Sequence, residues 1–111
     1  MTDRELLELT AKAAGYAHTN LDVDTVFWVS DDGDFWTPWN PLTDDGDALR
    51  LAVKLNLVVH PQEKCCYVYL SPESLLGFSG VTALEMNLGD PYAATRRAIV
   101  SAAAEIGKAM P

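Results

Sequence analysis

The stretch from Asp90 to Met110, "DPYAATRRAIVSAAAEIGKAM", leaves this chain the least choice of conformation. Asp90 suits a helix cap, and Pro91 suits the first helical position, where a missing amide proton costs nothing. Ile99, Ala102, Ala103, Ile106 and Met110 then recur at i, i+3, i+4, i+7 and i+11, with Arg96, Arg97 and Glu105 on the opposite side. So long a helix with so continuous an apolar stripe cannot stand alone in water, and the remaining residues have to build a surface for it.

Two shorter helices are written upstream. Thr2 followed by Glu5 forms a capping box, Leu6, Leu9 and Ala13 with Leu7 and Ala14 make an apolar stripe, and Gly15 supplies a left-handed stop. From about Asp45 to Leu55 a second helix is expected, capped by Thr43, Asp44 or Asp45. Ala48, Leu49, Leu51, Ala52, Val53 and Leu55 leave only Asp47, Arg50 and Lys54 as a polar seam, a pattern that predicts a helix buried on most sides and central in its layer.

Between the helices lie runs with strand character. Thr25 to Ser30 is β-branched and aromatic and ends at an Asp-Asp-Gly-Asp turn; Phe35 to Trp39 returns beside it, kept short or at an edge by Pro38 and Pro41. Leu57 to His60 and Cys65 to Leu70 read as a hairpin, with Pro61 to Lys64 as its loop. Ser71 to Gly80 reads as a connection, and Val81 to Leu88 alternates, Leu84, Met86 and Leu88 against Glu85 and Asn87. The expected fold is therefore a single α+β domain over residues 1–111: a three-layer α/β/α sandwich, three helices on a four- or five-stranded, mainly antiparallel sheet.

Charge narrows the partners. The net charge is −8, and residues 1–47 hold eleven acids against Arg4 and Lys12. Such a field repels a phosphate backbone and attracts a basic protein, which argues against direct nucleic-acid binding. No apolar run approaches the ~20 residues that span a bilayer, and "MTDRELLEL" lacks the features of a signal peptide. A cytoplasmic protein is expected, without a membrane partner. The adjacent Cys65 and Cys66 point to opposite faces of a strand, so they are read as free thiols, and only His60 lies near enough in sequence to join them at a zinc.

Two segments, Trp39 to Leu57 ("WNPLTDDGDALRLAVKLNL") and Thr95 to Ile106 ("TRRAIVSAAAEI"), resemble the small bacteriophage and prophage proteins grouped as the phage ABA sandwich domain family, with a weaker likeness in "MTDRELLELTAKAAG". The resemblance implies a phage or prophage origin, hence a bacterial host cytoplasm, and a sheet with helices on both faces. It carries over no activity and no catalytic motif.

The stretch "DDGDFWTPWNPLTDDGD", Asp31 to Asp47, is where chemistry is sought. Six aspartates in 17 residues suggest a hard cation, but a calcium loop needs Gly at its sixth position, and counting from Asp32 or Asp44 reaches Thr37 or Leu49. No metal or cofactor is expected: the first tetrapeptide reads as a turn, the second as a helix start. Enzymatic motifs are also lacking, since His18 and His60 sit in different elements and no nucleophile elbow, phosphate loop or zinc-protease pattern occurs. The aromatics Phe35, Trp36 and Trp39, with Trp28 on the preceding strand, are the better lead. Trp36 and Trp39, with Asp31, Asp32 and Asp34, are the expected partner-binding residues, on a non-enzymatic accessory factor for a basic host or phage protein. The competing expectation is a structural or assembly module acting as a homo-oligomer, such as a homodimer, through the apolar faces of its helices. How many of the tryptophans reach solvent stays open at this point, because the same rings would also close a small core.

Overall fold

Capping decides where each helix begins. A computed structural model describes residues 2–21, 26–70 and 82–110. In it α1 (Asp3–Ala14) starts where Thr2 Oγ1 accepts the Glu5 amide, and stops at Gly15, whose φ of 89° is the left-handed cap. Asp44 caps α2 (Asp45–Lys54) by accepting the Asp47 amide, and Asp90 caps α3 (Pro91–Ala109) by accepting those of Tyr92 and Ala93.

Six strands fall into two three-stranded antiparallel sheets among the described residues, rather than into one sheet of four or five. The first holds β1 (His18–Leu21), β2 (Phe27–Ser30) and β3 (Thr37–Pro38), in that order. Here β1, a strand not among those read from the sequence, pairs along β2 from His18 opposite Ser30 to Leu21 opposite Phe27. Because β3 is cut to two residues by Pro38, this sheet ends there. The second sheet holds β4 (Leu57–Pro61), β5 (Cys65–Leu70) and β6 (Thr82–Met86), also in chain order. The expected connection over residues 71–80 lies outside the described residues.

Register assigns the faces of the second sheet. Cys66, Val68 and Leu70 are buried toward the helices, and Val68 pairs with Val59 on one side and Ala83 on the other. Tyr67 pairs with His60 and with Leu84 on the outward face, where Leu84 and Met86 are exposed. The alternation of β6 thus has the expected period, but its apolar side faces out and Glu85 faces α3, 4.0 Å from Arg97. Cys65 and Cys66 are free thiols, and burial pushes the Cys66 thiol pKa up.

The central helix is α3, not α2. One side of α3 packs on the second sheet and another on α1, and nine of its residues are buried, from Ala94 to Gly107. Its crossing with α1 is close enough that a Cβ on Gly107 would run into the Leu9 carbonyl, and Thr10 Oγ1 donates to the Val100 carbonyl across the contact. Small side chains on both helices allow that approach. By contrast α2 buries Ala48, Leu51 and Ala52 and leaves Leu49 64% and Val53 70% exposed, which corrects the expectation of a single polar seam.

A candidate docking loop at the β2–β3 turn

The first Asp-Asp-Gly-Asp joins β2 to β3, and its conformation is fixed from within. Asp32 Oδ1 accepts the amides of Asp34 at 2.8 Å and Phe35 at 3.0 Å and the Ser30 hydroxyl at 3.2 Å; Ser30 Oγ in turn accepts the Gly33 amide at 2.8 Å. These bonds, that from Phe35 foremost, hold the Asp32 carboxyl below the usual range. Gly33 turns the chain with φ 85°, a conformation that a side chain would strain. The His18 ring lies against Gly33 and meets Trp36 edge-on at 6.2 Å, so β1 buttresses the loop from beneath.

The expected site residues separate into three roles. Asp31 and Asp34 are exposed at the turn, where their charge faces solvent. Asp32 engages one carboxylate oxygen, Oδ1, with two backbone amides and the Ser30 hydroxyl, and so positions the loop. Of the tryptophans, Trp36 is 39% exposed and is oriented by a hydrogen bond from its indole N–H to the Gly33 carbonyl at 3.1 Å. Trp39 leaves the surface patch: it is 7% exposed, edge-on to Tyr16 at 5.5 Å and tilted against Phe27 at 6.1 Å. Its position is set by the bond of its amide to the Phe27 carbonyl and by α2, which tethers the next residue through the Asn40 amide and Asp47 Oδ2 at 3.0 Å.

Phe35, one of the aromatics singled out in the sequence but not among the expected partner-binding residues, is more exposed than either Trp36 or Trp39. At 82% exposure it is a large apolar ring standing in solvent between Asp34 and Trp36, on a backbone held by its own amide. Its signal in the sequence was its place directly after the turn, where a short return strand cannot cover it.

The second Asp-Asp-Gly-Asp does different work. Asp44 caps α2, Asp45 takes Arg96 at 2.6 Å, and Asp47 binds Arg50 at 2.7 Å as well as the Asn40 amide. Arg96 also donates to the Leu42 carbonyl at 2.9 Å, which ties α3 to this loop. No group of three or more His, Cys, Asp or Glu among the described residues is placed to hold a metal ion, and none of the helices described is long and apolar enough to cross a membrane. His60 stacks on Tyr67 and Tyr69, with its Nε2 3.2 Å from the Tyr69 hydroxyl. No family model matches this chain, and neither a curated protein nor a solved structure is significantly similar to it.

Proposed function

We propose that this chain is a non-enzymatic protein-binding accessory factor, and that the β2–β3 turn docks it to a basic host or phage protein. The observation that carries the reading is Phe35, a ring 82% exposed on a turn pinned by Asp32 and flanked by the charges of Asp31 and Asp34. A loop already held in one shape loses little freedom on binding, an exposed aromatic supplies apolar contact, and the carboxylates steer a cationic surface toward it. The resemblance of residues 39–57 and 95–106 to the phage ABA sandwich domain family supports a phage or prophage origin and a bacterial cytoplasm. In that family's three-layer α/β/α arrangement, α3 on the second sheet would be one of the two helical layers.

A second reading, assembly through a homo-oligomer, is favoured by Leu49 and Val53, exposed on α2 beside a groove of about 510 Å³ between α2, α3 and β4. Affinity capture from a bacterial host separates the two. Docking through the turn predicts a basic protein retained at low salt, released as salt rises, and lost with Phe35→Ala or with Asp31→Asn and Asp34→Asn together. Capture indifferent to salt and to all three substitutions, from a protein that is itself a salt-insensitive dimer, would favour assembly instead.

A further inference from the structure

A cavity of about 280 Å³ opens between the end of α1, β3 and α2. Tyr16 and Trp39 line it, together with Thr37, Asp47, Arg50 and Lys54. We propose that this cavity binds a small molecule carrying a flat ring and one anionic group, a carboxylate or a phosphate.

Lys54 is the charge at the cavity that supports an anion. Asp47 is matched within the protein: one carboxylate oxygen accepts the Asn40 amide at 3.0 Å and the other the Arg50 guanidinium at 2.7 Å. Asp44 also pairs with Arg50, at 3.8 Å, and Asp31 does not line the cavity. Lys54 has no carboxylate within ion-pair distance among the described residues; its ammonium stands 5.0 Å from the centre of the Tyr16 ring. Arg50 is committed to Asp47 and Asp44, which leaves Lys54 as the cation lining the cavity that a ligand could take. A bound anion would take Lys54 as its counter-charge, within reach because this side chain is long, flexible and exposed.

The neutral groups favour a ring. Tyr16 and Trp39 meet edge-on at 5.5 Å and give the cavity aromatic walls, against which a flat ligand gains more than its buried area alone. Burial of Tyr16, and after it the charges of Asp31 and Asp47, raise the phenol pKa, so the hydroxyl keeps its proton and remains a donor. The cavity has room for one ring and its substituent and lies just below the usual range for sites that enclose drug-sized ligands. Phe35 does not line it, so the inference stands or falls apart from the docking reading.

Nuclear magnetic resonance titration tests it with four probes: benzoate, phenyl phosphate, phenol and inorganic phosphate. Benzoate, phenyl phosphate or both should shift the Trp39 indole and Tyr16 ring signals saturably, with Kd of about 1 mM or tighter. Whichever binds tighter identifies the anionic group. Phenol and inorganic phosphate, each lacking one half of the ligand, should bind about tenfold more weakly or worse. Lys54→Gln, at an exposed position that leaves the fold intact, should weaken the better anion about tenfold, and Lys54→Arg should restore it. The inference is overturned if neither ring-bearing anion saturates these signals, if phenol binds as well as benzoate, or if Lys54→Gln changes nothing.

Discussion

Asp32 and Asp44 occupy the second and first positions of the same tetrapeptide, and their surroundings give them different work. Asp44 accepts the Asp47 amide at the start of α2 and makes only a long, exposed ion pair with Arg50 besides. Asp44→Ala should therefore cost about 1 kcal/mol of stability, read from the urea midpoint, with no change in the shape of the β2–β3 turn. Asp32 is a local matter. Its carboxyl is held below the usual value, so the pinning of the turn is fully present above an unfolded carboxyl's pKa of about 3.9 and is lost as pH falls through the lower folded value. The amide resonances of Asp34 and Phe35 should accordingly stay fixed from neutral pH down to about 3.9 and move only below it. In Asp32→Asn they should already differ at pH 7. A titration of those two amides centred at an ordinary carboxyl pKa would show that Asp32 does not hold the turn.

At the scale of elements, the helices were legible because each cap is a single residue next to its helix: Thr2 and Asp90 do what their positions announce, and Asp44 is one of the three candidates read at the start of α2. What periodicity could not tell was how much of an apolar helix its neighbours would cover. The pattern of α2 is nearly all apolar, yet α3 occupies the centre, because Gly107 and its run of alanines let it approach both α1 and the sheet. The reversed face of β6 has the same origin: alternation shows two sides and does not say which one meets a helix. Substitution separates the two sides of α2. Leu51→Ala, in the core, should cost about 2–5 kcal/mol. Leu49→Ser, on the exposed side, should stay within about 0.5 kcal/mol. At the α1–α3 crossing, Gly107→Ala gains up to about 1 kcal/mol of helix propensity. Its methyl group meets the Leu9 carbonyl, a backbone atom that cannot rotate away, so a net loss of about 1–3 kcal/mol is expected from a thermal melt. A melting temperature equal to or above wild type would mean that the two helices do not cross so closely.

For the whole molecule, the candidate turn was only partly readable. Its acids and aromatics were visible as letters, but exposure is a property of the finished packing. Trp39 is enclosed because Tyr16, Phe27 and the Asp47 tether converge on it from separate elements, whereas Phe35, four residues away, is 82% exposed. The charge distribution acts at this scale as well. Exposed ion pairs such as Arg4 with Glu8 and Lys108 with Glu105 contribute little and weaken in salt, while the net charge of −8 repels itself in the folded state and is screened by the same salt. The two effects have opposite signs. Repulsion should win, because sixteen acids face only eight lysines and arginines, and the acids at the β2–β3 turn have no cationic partner among the described residues. Raising sodium chloride from low ionic strength to about 0.5 M, well past the concentration at which the screening length falls under 10 Å, should then stabilise the fold by on the order of 1 kcal/mol, a rise in Tm of about 4 °C. Asp31→Asn with Asp34→Asn should reproduce part of that gain at low salt and leave less for salt to add. A Tm that falls with salt would instead assign the balance to the exposed pairs, and with it would go the premise that this surface presents uncompensated negative charge to a partner.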